Sequence, residues 1–278
     1  MDEKKWQAEL SEYIKLGEPN QQEKTIAWQT AIGLQQVDGL ETSAYLLDTA
    51  KEHIEGKITI KQAQEQLHSY YKALGARQQI ESSTREADIV SARITELLGE
   101  DAFQFSPVEW RNIHRRLFSG VFDHAGELRT YNISKNEWVL NGTSVIYAAH
   151  ESIASLLDYD FRTEKEFSYR GLSASEKVRH FAKFLCDIWQ IHPFCEGNTR
   201  ATAVFAIKYL RTMGYKVNND AFEKHSWYFR NALVRANYND WQRDIYATTE
   251  YLELFLSNLL LGEHHELHNR YLHIDYKQ

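Results

Sequence analysis

The sequence predicts an all-α protein with one small β excursion, on three observations. Gly and Pro are sparse, with 13 glycines and three prolines among 278 residues, while helix-favouring Leu, Ala, Glu, Lys and Gln abound. Apolar residues recur at helical spacing along most of the chain. Strand-favouring residues gather in one stretch, 127–147, "ELRTYNISKNEWVLNGTSVIY", where Asn141-Gly142 signals a hairpin turn.

Residues 22–37 place Ile26, Trp28, Ala31, Ile32 and Leu34 at mostly helical spacing. "DGLETS" reads as a turn, and Ser43 suits the cap of a second helix that reaches Glu55 and stops at Gly56. "KITIKQAQEQLHSYYKAL" offers a third. These form a compact three-helix unit over 1–75, and "GARQQIESS" marks the boundary to a second unit, 76–278. In the next helix Ser83 and Glu86 stand in the Ser-x-x-Glu relation of a capping box. Pro107 opens another helix at its first turn. Ser173 and Glu176 form a second capping box, ahead of a helix that buries Phe181, Phe184, Leu185, Ile188 and Trp189. A helix from Thr199 to Thr212 stops at Gly214, and amphipathic segments at 220–236 and 246–261 complete the body. Trp227, Tyr228, Trp241, Tyr246 and Tyr251 read mostly as core.

Composition narrows the function classes. Apolar residues make up 43% of the chain, and the net charge of −7 comes from interleaved acids and bases. A basic face for nucleic acid is not expected, since that needs clustered Lys and Arg. Nor is a membrane partner: no apolar run approaches the roughly 20 residues of a membrane span, and the N-terminus lacks a signal-peptide pattern. With Cys186 and Cys195 alone there is no disulfide framework, which points to a reducing cytoplasm. "GEHHELHNRYLH" falls one residue short of the His-Glu-x-x-His helix of zinc proteases.

The chemistry concentrates in "IHPFCEGNTRA", residues 191–201. Pro193 cannot extend the preceding helix and biases His192 away from the α region. His192 then sits at the mouth of a turn as a candidate base, and Phe194 is an apolar peg against the core. Gly197 allows close backbone approach, and Asn198 suits a helix cap. The N–H groups of the following helix form an anion site, to which Arg200 adds a charge with bidentate reach. Glu196 beside them is placed to hold a divalent cation, Mg²⁺ by its oxygen ligation.

This stretch resembles the signature of the Fic domain family, His-Pro-Phe-x-(Asp/Glu)-Gly-Asn-(Gly/Lys)-Arg, and the resemblance extends over residues 86–262. It implies a Fic-type helical bundle with a β-hairpin flap. It also implies a nucleotidyltransferase that moves AMP from ATP onto a Tyr, Thr or Ser hydroxyl of a target protein and releases pyrophosphate. By the same resemblance His192 takes the hydroxyl proton and Glu196 holds Mg²⁺. Phe194, Gly197, Asn198, Thr199 and Arg200 line the phosphates, and Asn231 touches base or ribose. Lys135, Trp138 and Val139 of the flap dock an extended target segment, and the same edge leaves self-modification or homodimer pairing open. Removal of AMP, transfer of another phosphate-linked group and a non-catalytic scaffold are the alternatives. Two positions depart from the pattern: Thr199 replaces Gly or Lys, and Ala203 stands where many members carry a second arginine for the γ-phosphate.

Many Fic proteins are restrained by a helix bearing Ser/Thr-x-x-x-Glu-(Gly/Asn), whose glutamate pairs with that second arginine. Residues 1–75 resemble the small antitoxins that partner Fic toxins. There Leu34 replaces the Ser/Thr, Asp38 replaces the Glu and Gly39 is retained. The alternative acid is Glu86 of "SSTRE", followed by Ala87. Either residue also has an ordinary reading, Asp38 in an Asp-Gly turn and Glu86 in the capping box. Asp38 is one methylene short, and its expected partner is missing at Ala203.

Overall fold

The computed structural model describes residues 3–75, 82–217 and 221–276. Among these residues it contains eleven α-helices and no β-ladder. The N-terminal quarter holds α1 (Glu3–Leu16), α2 (Pro19–Gly33), a tight 3-10 turn (Leu34–Asp38), α3 (Ala44–Ile54) and α4 (Ile60–Gly75). That is four helices where the sequence predicts three. Helix α1 escapes prediction because its inner stripe is thin, with Trp6 and Leu10 buried in an otherwise polar segment. Ser43 caps α3, accepting a hydrogen bond from Leu46 N at 3.1 Å. The helix predicted over 22–37 begins earlier, at Pro19, and gives way to the 3-10 turn after Gly33. Gly33 is required by a close approach, since a Cβ there would lie 2.5 Å from the Cα of Glu223. The predicted boundary "GARQQIESS" falls largely on residues 76–81, outside the described residues.

The body follows as α5 (Ser82–Leu98), α6 (Pro107–Phe118), α7 (Ile153–Glu166), α8 (Ala174–Ile191), α9 (Asn198–Thr212), α10 (Ala221–Ala236) and α11 (Glu250–Leu261). Pro107 opens α6 behind a Ser106 cap, and the Ser173–Glu176 box opens α8, both as the sequence predicts. The aromatic residues predicted as core divide: Tyr228 is buried, whereas Trp241 and Tyr246 stand exposed beyond the end of α10. The main apolar cluster spans the body and takes in Ala27, Ala31, Leu34 and Val37. A second cluster gathers Trp6, Leu10, Trp28, Leu46, Leu47, Ala50, Ile54, Leu67 and Ala92. Helix α2 packs against both α5 and α10, so the N-terminal helices share a core with the body.

The expected β-hairpin over 127–147 is a hairpin-shaped loop without a ladder. Its two arms meet through Glu137 N donating to Thr143 O (3.1 Å) and Lys135 N donating to Ser144 Oγ (3.1 Å). Asn141 and Gly142 take the positive φ values, 55° and 83°, that the Asn-Gly signal predicts. The arms lack a ladder because their bonding is directed at the body. Fully buried Glu137 makes a two-point ion pair with Arg230 of α10, and Tyr147 OH lies 3.3 Å from the same carboxylate. Val139 O accepts from Ile274 N of the C-terminal tail at 3.0 Å.

Leu34 is fully buried at the seam between the N-terminal helices and the body. Leu34→Ala should cost about 3 kcal/mol. It should move a single urea transition of the whole chain to lower denaturant; an early separate transition of the N-terminal quarter would contradict the shared core.

Candidate active site

The site is the turn between α8 and α9. Pro193 ends α8, and His192 is left in the left-handed region at φ 49°, ψ 58°. This conformation is costly for a residue with a Cβ and persists where surrounding contacts enforce it. Arg129 supplies them. Its Nε donates to His192 O (2.8 Å), its Nη2 to Ile191 O (3.2 Å) and Ala148 O (2.5 Å), and its Nη1 to Tyr131 O (2.7 Å). Its own N–H donates to Pro193 O at 2.8 Å. One buried guanidinium thus welds the turn between α8 and α9 to the base of the flap.

The His192 ring is 3% exposed, between Tyr147 (centroids 4.1 Å apart) and Trp189 (5.0 Å). A hydrogen bond of 3.2 Å links Nδ1 to the carbonyl of Trp189, which requires a proton on Nδ1 and leaves the lone pair on Nε2. Burial first, then repulsion from Lys135, holds the imidazole well below its ordinary pKa. His192 is therefore neutral at pH 7, the form a base requires.

Asn198, expected to cap α9, instead closes the turn on itself. Its Oδ1 accepts from Phe194 N (3.0 Å) and its Nδ2 donates to Phe194 O (2.7 Å). The cap position belongs to Gly197, at φ 74°, where a Cβ would fall 2.4 Å from the Phe118 ring. Phe194 is fully buried and stacked on His114 (3.7 Å). Thr199 Oγ1 accepts from Trp189 Nε1 at 3.0 Å. The side chains of Phe194 and Thr199 are thus engaged by the protein, which leaves the backbone as the part that can face a phosphate. His114 bridges the turn from below, with Gly126 N donating to its Nδ1 (2.9 Å) and its Nε2 donating to Glu196 O (2.9 Å). Burial lowers the pKa of His114 to about 4.

Both charges of the turn already have partners. Arg200 is 2% exposed, with its guanidinium 4.8 Å from the Phe118 ring centre. Its Nη2 donates to Glu86 Oε1 (2.6 Å) and its Nη1 to Gln35 Oε1 (3.1 Å). Asp38 Oδ2 lies 2.7 Å from Nε, off the N–H line, as an ion pair. Glu86 is thus engaged with Arg200, one turn inside α5, and not in the capping box that its spacing suggested. Glu196, about half exposed, pairs with Lys135 of the flap, Nζ to Oε2 at 2.8 Å.

The turn draws together His192, Glu196, Gly197, Asn198, Arg200, Lys135, Asp38 and Glu86. Other expected contacts lie elsewhere. Asn231 is fully buried away from the turn and donates through Nδ2 to Asn269 of the C-terminal tail (2.8 Å), while its Oδ1 has no hydrogen-bond partner among the described residues. The Val139 side chain is fully buried and cannot dock a target, while Trp138 is half exposed and edge-on to His273.

The donor set fits a divalent cation. Mg²⁺ is commonly held by one or two carboxylates plus substrate phosphates. Glu196 is such a carboxylate, and the Lys135 ammonium beside it is a stand-in cation. Among the described residues no cluster of three or more His, Cys, Asp or Glu could hold a metal alone.

The family model described as "Fic/DOC family" matches residues 104–210, which include α6, the flap, the turn and most of α9. Residues 104–210 thus match a Fic/DOC domain. It is similar to the protein adenylyltransferase VbhT of Bartonella schoenbuchensis, 28% identical over 181 residues, covering 60% of this chain and 36% of the relative. It is also similar to the probable protein adenylyltransferase Fic of Escherichia coli, 30% identical over 117 residues, covering 42% and 56%. A third relative is the probable protein adenylyltransferase y4lH of Sinorhizobium fredii, 29% identical, covering 52% and 71%. The chain thus spans well under two thirds of the first two relatives. The N-terminal Fic domain of a Bartonella effector protein shares the fold, with TM-score 0.52 and 17% identity over 65% of this chain and 82% of that one.

Within the Fic/DOC domain, sequence reasoning missed Arg129, His114, Phe118 and Tyr147. Each lies far along the chain from the turn, and none carries a local pattern that marks it. His114 has a measurable signature. Its pKa is lowered from 6.5 to about 4, so its contribution to stability is complete above pH 6.5. Below that pH the unfolded chain takes up a proton that the folded chain refuses, and stability falls towards pH 4 by about 3 kcal/mol. His53, also lowered to about 4, adds a similar term. Melting temperature should therefore fall from pH 7 to 4.5, with a shallower fall in His114→Gln; equal slopes would contradict a buried neutral His114.

Proposed function

We propose that this chain is a protein adenylyltransferase that uses ATP and Mg²⁺ to modify a hydroxyl side chain of a target protein and is restrained by its own N-terminal helices. The observation that carries the reading is His192: neutral, fixed in one tautomer, with Nε2 free, at the head of a turn that carries an acid, a helix N-terminus and an arginine. Nε2 accepts the proton as the target hydroxyl oxygen bonds to the α-phosphorus and the bond to pyrophosphate breaks. The lowered basicity of His192 lets that proton leave readily for the next turnover. No side chain caps the N-terminus of α9, so its N–H groups are available to phosphate oxygens. Arg200 in the same turn complements the leaving group. Glu196 would hold Mg²⁺, which would supply charge neutralisation to the phosphates.

The restraint follows from the partners of Arg200. Asp38 and Glu86 occupy the guanidinium edge that an anionic substrate would need. Their side chains are 27% and 19% exposed, against 2% for Arg200. Water can solvate the released acids, whereas Arg200 needs a replacement anion, and phosphate is one. The resemblance of residues 1–75 to antitoxins that partner Fic toxins supports the same reading, with Arg200 in place of the absent arginine at Ala203.

The test is intact-protein mass after incubation with ATP and Mg²⁺, comparing the wild type, Asp38→Asn/Glu86→Gln, and the same double variant carrying His192→Ala. The double variant should gain one AMP through self-modification, well above the wild type, and His192→Ala should abolish the gain. No gain in any variant, or a gain independent of His192, would contradict the reading.

A further inference from the structure

Lys135 reaches out of the flap and across to the catalytic turn. Its backbone N–H is held by Ser144 Oγ at 3.1 Å, and its side chain is 23% exposed, sheltered for a lysine. The ammonium ends 2.8 Å from Glu196 Oε2, and its charge also bears on His192. It therefore stands beside the carboxylate that fits a divalent cation, on the side that faces the base.

We propose that Lys135 is an internal counter-ion that competes with the divalent cation for Glu196, so that cation loading and release of the flap arm at 131–136 are coupled. The proposal rests on Glu196 as the cation ligand but not on AMP transfer. An ammonium and a dication cannot share one carboxylate oxygen at contact distance without strong repulsion. Cation loading therefore favours withdrawal of Lys135 from Oε2, and withdrawal removes one tether between the flap arm and the turn, beside those that Arg129 makes. The coupling is reciprocal: whatever draws Lys135 away raises cation affinity by the factor by which the cation favours withdrawal. An extended protein segment docked along the flap arm is such an agent. Docking would then prime the cation site, and the site would stay cation-poor without a target.

The experiment titrates the full chain with Mn²⁺ in the presence of excess inorganic pyrophosphate, which supplies the phosphate ligands, and reads protein-bound Mn²⁺ by water proton relaxation. Lys135→Met should bind Mn²⁺ about tenfold more tightly than the wild type, the scale of one unit charge a few ångströms from a dication at a protein surface. Lys135→Arg, which keeps the charge, should remain close to the wild type. The gain should vanish in Lys135→Met/Glu196→Gln. Equal binding by Lys135→Met and wild type, a gain that survives Glu196→Gln, or Lys135→Arg behaving as Lys135→Met would each overturn the proposal. Absence of Mn²⁺ binding by every variant would overturn it too, while AMP transfer is read separately by protein mass.

Discussion

The pairing of Arg200 with acids from the N-terminal helices and α5 is the interaction on which the rest of the structure turns. A guanidinium buried in the first turn of α9 is tolerated if its charge and its donors are met. Asp38, Glu86 and Gln35 meet them, and the Phe118 ring lies along its flank. Asp38 and Gln35 sit on the 3-10 turn that follows α2, so the N-terminal helices must seat against the body for the pair to form. Ala31, Leu34 and Val37 make that seat apolar, and Gly33 lets α2 approach α10 closely enough. Electrostatics and packing thus specify one arrangement.

A second constraint fixes the turn itself. His192 adopts a left-handed backbone that Arg129 holds by gripping four carbonyls from the turn and the flap. Asn198 and His114 close the turn from above and below. The fold itself holds the His192 imidazole in one place, the kind of positioning that lowers a barrier where such a ring acts as a base. The two charged side chains of the turn are less ready, since Arg200 is paired with acids and Glu196 with Lys135. The structure therefore describes a site with its geometry complete and its charges held by the chain.

The parts of the fold carried by local pattern were legible in the sequence. Pro107, the Ser173–Glu176 box and the Asn141-Gly142 turn signal local backbone preferences, and each is realised. The His192–Arg200 stretch was legible for the same reason, because its chemistry is packed into nine consecutive residues. What failed was decided by distant partners. The flap lacks a ladder where other partners take its carbonyls, Arg129 those of Tyr131 and Ala148 and Ile274 N–H that of Val139. Asn198 left its expected capping role to close the turn, and Glu86 left its capping box for Arg200. Asn231 turned to the C-terminal tail. The family pattern led to an acid paired at position 203; Asp38 and Glu86 pair instead with Arg200, three residues earlier.

The measurement that bears most directly on the central pairing is ATP affinity by calorimetry, in the wild type and in Asp38→Asn/Glu86→Gln, both carrying His192→Ala so that nothing is consumed. If the acids hold Arg200 against phosphate, the double variant should bind ATP at least about tenfold more tightly, the scale of removing two nearby competing charges from a buried guanidinium. Equal or weaker binding in the double variant would show that the acids support the site rather than restrain it.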